Sequence, residues 1–346
     1  MFSVGKILGI PLFSDMGQVA TLKKISAQLN LSISTVSRAL KNHPDISENT
    51  KRKVKELAAL MEYEPNSYAV TLRTNKSRVF GLIVPAISNM FYDSFIAAAE
   101  KDARNSGYSL LILQSGDDPV QEAENLRLCR HYRVDGILIS VAAESHSSEL
   151  FSKYQEAGIP LVFFDKVPGS GSFDTVCMAD EEVATMAANT IIKYRKKRIL
   201  ALFGNPDFSI SKKRTEAFLK VFEAEEGIIQ LTLKNCRSSS EAEAAVSFSL
   251  SVKERPDLVF CMSDEILTGA MKALHQSGLS IPKEISVLTI SNGLLPGLYN
   301  PPITYLETSG AELGKLAMKR ILERAEGDTI AKSIILPSRL VAGGSM

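Results

Sequence analysis

Four cysteines in 346 residues are too few and too scattered to form a framework. Cys129, Cys177, Cys236 and Cys261 make no CxxC pair and have no histidine at ligand spacing. That excludes a zinc site and a disulfide scaffold, and it suits reduced, mostly buried thiols in a cytoplasmic protein. Histidine is equally sparse: His43, His131, His146 and His275 lie in unrelated segments, none beside a Ser or Cys in a nucleophile context. No glycine-rich phosphate loop follows a strand-like run, so neither an enzyme nor a bound metal or cofactor is expected. No apolar run reaches the roughly 20 residues of a membrane span. Net charge is nearly absent too, at +1, but the balance hides an uneven distribution. From Thr21 to Arg78 there are 11 Lys and Arg against 5 Asp and Glu; from Val79 to Met346 there are 28 against 33. A basic head suits a polyanion and an acidic body does not, which places any phosphate-binding surface in the first 78 residues.

Within that head, TLKKISAQLNLSISTVSRAL (residues 21–40) carries the strongest signal. Thr21 can cap a helix whose apolar Leu22, Ile25 and Leu29 recur at helical spacing, with Ala27 small enough for a second helix to cross closely. A tight turn at 30–32 follows. Ser32 or Ser34 can cap a second short helix that turns Val36 and Leu40 inward and leaves Ser34, Thr35, Ser37 and Arg38 outside. Hydroxyls serve phosphates or base edges, and an Arg fork matches guanine O6 and N7. Helix, turn and polar helix make a helix-turn-helix. A third helix is expected from a cap at 47–50 to about Met61, with Val54, Leu57, Ala58 and Met61 inward and Lys51, Arg52, Lys53 and Lys55 outward, either on phosphates or simply solvated.

The segments TLKKISAQLNLSISTVSRAL, HPDISENTKRKV, YEPNSYAVTLR, FGLIVPAISNMF, VDGILI and SVLTIS, in that order, resemble the LacI family of transcriptional regulators from about Val19 to the C-terminus. The resemblance implies that Ile33, Ser34 and Arg38 face the DNA groove, Ile33 toward a thymine methyl and Arg38 toward a guanine. It also gives NSYAVTLRTNKS a role. By composition this stretch is a polar linker in which Asn66 or Ser67 can cap about two helical turns. In the family it is a hinge helix that orders on operator DNA and inserts a Leu into the minor groove, and Leu72 stands at that position. Val70 replaces the family's usual Arg, which removes one phosphate contact.

From Val79 onward, short β-branched runs alternate with helical stretches. Strands are expected at 79–84, 110–113, 136–140 and 161–164, with helices at 91–106, 120–132 and 147–157; a second series has strands at 199–203, 229–233, 258–261 and 287–290, with helices at 211–225, 239–253 and 264–277. Two βαβ sets mean two α/β lobes with parallel sheets, and the resemblance makes the body periplasmic-binding-protein-like, with crossovers between lobes. The expected organisation is a disordered extension at 1–20, a helix-turn-helix domain at 21–65, a hinge helix and linker at 66–78 and a two-lobed effector-binding and dimerisation body at 79–346. Residues 1–16 have a short apolar core but no signal-peptidase site, so they read as that extension or as an early start ahead of Met16.

Ligands of such sheets lie beyond the strand C-termini, in the cleft between lobes. Phe91 and Tyr92 stand at a helix mouth after the first strand; they either pack in the core or, as the resemblance implies, face an effector. Asp165 follows LVFF. Asp264 opens a helix, as a cap or as an acceptor for ligand hydroxyls. Arg214 is a surface helix charge or the Arg that in the family points into the cleft. Ser263 stands where members often carry Asn, Ser291 and Asn292 replace an acidic pair, Met178 and Ala179 replace a polar pair, and Arg195 replaces the Gly of a GH motif. The effector residues expected are thus Phe91, Tyr92, Asp165, Arg214, Ser263, Asp264 and Asn292, in a cleft less acidic than many sugar sites. The function implied is a cytoplasmic homodimeric regulator that binds a pseudopalindromic operator and responds to a small molecule, a carbohydrate or its phosphate. The body alone also fits a transporter's solute-binding protein; the attached DNA reader and the missing signal peptide argue against that. No leucine-heptad tail follows Ser345, so no tetramer built on one is expected.

Overall fold

A computed structural model of the protein describes residues 20–64, 76–142, 148–169, 172–223 and 229–346. The chain divides into two compact units, Met1–Asn75 and Lys76–Met346.

In the first unit, three helices follow three hydroxyl caps: α1 (Leu22–Leu29), α2 (Ile33–Leu40) and α3 (Glu48–Leu60). The side chains of Thr21, Ser32 and Ser47 each accept the backbone N–H three residues on, which satisfies one orphan donor per helix. Asn30 ends α1 in the left-handed region at φ +52°, giving a turn short enough for a helix-turn-helix. Ile25, Val36, Ala39, Val54 and Ala58 form the core.

Two expectations are corrected here. Ala27 is exposed, and Ser26 is the small buried residue of α1, because 22, 25, 26 and 29 share one helical face. Ser26 tolerates burial by donating its hydroxyl hydrogen to the Lys23 carbonyl at 2.9 Å. Lys51 is only 8 % exposed, although its three basic neighbours on α3 are exposed. It lies one turn before Val54 on the core-facing stripe, and its ammonium reaches out to Glu48 Oε1 at 2.7 Å, so the apolar stem is covered while the charge stays paired. Asn66, Val70 and Leu72 lie outside the described residues.

The second unit contains two six-stranded sheets. The first has the order β11-β5-β4-β3-β1-β2, all parallel: β1 (Val79–Val84), β2 (Ser109–Gln114), β3 (Ile137–Ile139), β4 (Leu161–Phe164), β5 (Asp174–Met178) and β11 (Ser333–Leu336). Around it lie α4 (Met90–Asn105), α5 (Pro119–His131), α6 (Ser148–Glu156) and α11 (Gly310–Ala325). Burial alternates along β1: Phe80, Leu82 and Val84 face the α4 and α11 side, and Ile83 faces Leu126, Cys129 and Phe151. Covering both faces explains why this strand reads as a continuous apolar run.

The second sheet has the order β12-β10-β9-β8-β6-β7, with β6 (Arg198–Phe203), β7 (Gln230–Asn235), β8 (Leu258–Cys261), β9 (Ser286–Ser291), β10 (Thr304–Glu307) and β12 (Arg339–Val341). Its helices are α7 (Asp180–Lys193), α8 (Ser209–Phe222), α9 (Ser239–Ser251) and α10 (Asp264–Ser277). β12 runs antiparallel to β10, so this sheet is not wholly parallel as expected. β12 enters this sheet directly from β11 of the other lobe, two residues earlier, so its direction along β10 is set by that crossing and not by a helix that returns the chain to the start of β10. The chain therefore crosses between lobes three times, after β5, after β10 and after β11. All four cysteines are unpaired; burial pushes the Cys129 and Cys177 thiols up to about 12, which leaves them protonated and unreactive. No helix among the described residues is long and apolar enough to cross a membrane.

Candidate functional site

Two surfaces gather the residues singled out by the sequence. On α2, Ile33 is 49 % exposed, Ser34 and Arg38 are exposed, and Thr35 and Ser37 are half-buried. Ser32 Oγ lies 2.7 Å from Ser34 Oγ and 2.8 Å from Thr35 Oγ1, so the cap residue also ties down its two hydroxyl neighbours. On a helix packed against two others, Ile33 is left in water, and Arg38 makes no ion pair among the described residues. Apolar contact and a planar guanidinium fork are two kinds of contact that reading a DNA groove uses. Lys55 donates to Asn42 Oδ1 at 2.5 Å and bridges α3 to the loop after α2.

The second surface is a cleft of about 530 Å³ at the C-terminal ends of the strands of both sheets. Phe91, Tyr92, Asp165, Arg214, Ser263, Asp264 and Asn292 all line it. They arrive there because each follows a strand or begins the helix after one, and parallel strands deliver those positions to one end of the sheet.

Each side chain has a distinct setting. Tyr92 is buried against Phe91 and Phe164, and its hydroxyl donates to Asp165 Oδ2 at 2.5 Å. Burial and that carboxylate together hold the Tyr92 phenol well above its usual range, so it remains a donor. Asp165 occupies a left-handed φ of +58°, a sparsely populated conformation for a residue with a Cβ. Arg214 is buried on α8; Nε donates to Asp180 Oδ1 at 2.9 Å and Nη1 to the Met262 carbonyl at 3.2 Å. Burial raises the Asp180 pKa while Arg214 pulls it down. Arg214 is therefore no surface charge: it fixes the start of α7 to the end of β8.

Ser263 caps α10 by accepting the Ile266 N–H, leaving Asp264 free of that duty. Asp264 instead accepts from the Ser291 hydroxyl at 2.5 Å and from the Asn292 N–H at 2.9 Å. Burial, the larger influence, pushes its carboxyl up despite both bonds. Asn292 spends its amide between lobes: Nδ2 donates to the Met90 carbonyl and to Ser94 Oγ, and Oδ1 accepts the Gly310 N–H at 2.9 Å. Met178, noted in the sequence as replacing a polar residue, lies in the first lobe's core.

Sequence reasoning overlooked several lining residues: Asp117, Lys166, Asn205, Phe208, Ser211 and Arg237. Lys166 Nζ pairs with Asp117 at 2.6 Å and sits 3.8 Å from the centre of the Phe208 ring, so a first-lobe cation meets a second-lobe aromatic. All six lie within a few positions of a strand's C-terminal end or on the helix that follows. The rule that selected Asp165 would have found them had it been applied to every strand.

Family profiles agree with this two-part construction. Residues 77–342 match periplasmic binding proteins and sugar binding domain of LacI family, and residues 21–66 match bacterial regulatory proteins, lacI family. The chain is 28 % identical over 313 residues to the HTH-type transcriptional repressor PurR of Vibrio vulnificus (strain CMCP6), covering 88 % of this chain and 92 % of that one. It is 27 % identical over 308 residues to the ribose operon repressor of Haemophilus influenzae, with the same coverage of 88 % and 92 %. Its fold superposes on a Lac repressor dimer bound to operator and the anti-inducer ONPF with a TM-score of 0.85 at 20 % identity, over 95 % of this chain and 99 % of that one. With a helix-turn-helix unit matched over residues 21–66 and a two-lobed unit matched over residues 77–342, the chain belongs to the lacI family of bacterial regulatory proteins.

Proposed function

We propose that the protein is a cytoplasmic transcriptional repressor that binds a pseudopalindromic operator as a homodimer, and that a small polar effector of carbohydrate class sets its DNA affinity by closing the cleft. The observation that carries this reading is the exposed Ile33, Ser34 and Arg38 row on α2, in the same chain as a cleft lined by buried polar groups. The similarity to proteins named as repressors supports the sign. Tyr92 with Asp165 and Arg214 with Asp180 would offer an effector a donor, acceptors and a guanidinium edge, and Phe91 a ring on which a sugar face can stack. Two heads on a two-fold axis match two half-sites. The exposed Leu294 and Leu298 would supply apolar surface for a dimer contact on the second lobe. A transporter's solute-binding protein would have no use for the head.

Coupling would run through the segment around Leu72: too short to hold a helix alone, it would be ordered by DNA and by the partner's hinge, and the effector need only separate the two. The test is duplex binding as a function of salt and sequence. Affinity should fall steeply with ionic strength. Arg38→Ala should cost about 1–3 kcal/mol at one base-pair position and relax specificity there, whereas Leu72→Ala should weaken binding and reduce bending with effector affinity unchanged. An Arg38→Ala loss that is uniform across sequences makes Arg38 a phosphate contact; DNA binding that ignores both salt and sequence removes the regulator reading.

A further inference from the structure

We propose that the effector carries a phosphate monoester, seated on the N-terminus of α8 between Ser211 and Lys166. The inference rests on the cleft being the effector site. Among the helices whose first turns face the cleft, α4, α9 and α10 are closed by side-chain caps from Asn89, Ser238 and Ser263. The 14-residue α8 is not: its cap position is Phe208, which has no acceptor to give. Its first intrahelical bond is from Lys212 N–H to the Phe208 carbonyl, so the amides of Ser209, Ile210 and Ser211 find no acceptor among the described residues. Three N–H groups and the positive end of the helix dipole thus converge on the cleft wall.

The Ser211 side chain points to a ligand independently of those amides. The residue is 2 % exposed and lines the cleft, yet its hydroxyl makes no hydrogen bond among the described residues. A buried serine of a helix's first turn usually back-bonds or caps; this one is kept as a free donor. The space in front of it is held open by Gly204, where a Cβ would come within 3.1 Å of Ser211 Oγ.

The third component comes from the other lobe. Lys166 follows β4, is buried, and places Nζ 3.8 Å from the centre of the Phe208 ring, beside the open helix end. One of its three donors serves Asp117 at 2.6 Å, which leaves two for a ligand. The Asp117 charge is thereby balanced, and the other first-lobe carboxylate in the cleft, Asp165, accepts from Tyr92. A tetrahedral dianion with three acceptor oxygens can take the Ser211 hydroxyl, the helix amides and the Lys166 ammonium together, whereas a single sugar hydroxyl accepts only one or two of these donors. Because Ser211 belongs to one lobe and Lys166 to the other, the same phosphate would tie the lobes together and so shift the equilibrium toward closure.

The experiment is isothermal titration of the full-length protein with inorganic phosphate, then with matched pairs of sugars and their phosphates, alongside operator binding. Saturable phosphate binding is expected, tighter for one phosphorylated partner than for its neutral counterpart. It should weaken about tenfold or more in Ser211→Ala, survive in Ser211→Thr, and vanish in Ser211→Asp, whose carboxylate suits a helix N-terminus and preserves folding. Ser211→Asp titrating like the parent, or no phosphate probe binding in a Ser211-dependent way, overturns the proposal. If in that case a neutral sugar still binds and moves operator affinity, the effector reading stands without the phosphate seat. If instead a phosphate binds through Ser211 and leaves operator affinity unmoved, the seat stands and the effector role falls.

Discussion

Asp264 is a carboxylate held in a poorly solvated wall by two donors, the Ser291 hydroxyl and the Asn292 N–H. Burial raises its pKa above the ordinary 3.8. The ionised form is thus the one that folding disfavours: its penalty is fully present above the folded pKa and is relieved as pH falls through that value toward 3.8. The parent should therefore gain stability relative to Asp264→Asn between neutral and mildly acidic pH, as measured by urea unfolding at the two conditions. Parallel pH profiles would show that the two donors, not burial, control the group. A helix start was legible in SDEIL, but the division of labour was not. Ser263 is the cap and Asp264 is released to face Ser291, a distinction set by side-chain rotamers on an element from a distant part of the chain.

At the scale of elements, the first lobe depends on the close crossing of α4 and α11. A Cβ on Gly310 would fall 2.3 Å from the Phe91 carbonyl oxygen, and one on Gly314 would fall 2.6 Å from that of Phe95. Both obstacles are backbone, which cannot swing aside as a side-chain tip can. Gly314→Ala should therefore cost about 1–3 kcal/mol by forcing the helices apart, despite alanine's better helix propensity. The measurement is the urea midpoint; a stabilised variant would mean that the crossing is looser than its distances imply. Most helices and strands could be read locally, because caps and periodicity are local properties: Ser32, Ser47 and Ser238 open helices with a capping hydroxyl, and LVFF and LVFC are strands by run length. β5, β10, β11, β12, α7 and α11 were not assigned from sequence. Strands such as DTVCM and RLV are too short and mixed to announce themselves, and they persist because a neighbour supplies the ladder.

At the scale of the whole molecule, the relation between the two lobes is what the proposed effector would change, and Asn292 sits on it. Its amide links the loop after β9 to the first turns of α4 and α11 through Met90, Ser94 and Gly310. Asn292→Ala removes these links, each worth about 0.5–1.5 kcal/mol. It should enlarge the radius of gyration of the free protein in solution scattering and weaken effector binding; unchanged scattering would show that the chain crossovers alone hold the lobes. The DNA-reading head, the two α/β lobes and the end of the sheets where a ligand belongs were all determined by the sequence itself. Each is encoded in residues close together along the chain: a capped amphipathic pair, an alternation of strand and helix, and the short stretches after strands. What only the tertiary structure decided is which of those polar residues remain available. Arg214 commits its Nε to Asp180 and Asn292 its amide to the other lobe, whereas the Ser211 hydroxyl and the first-turn amides of α8 find no partner among the described residues. Those partners come from residues 34 positions away for Arg214 and 198 for Ser94 with Asn292, and contacts so remote are set by how the sheets stack and where the chain crosses, which no local pattern records.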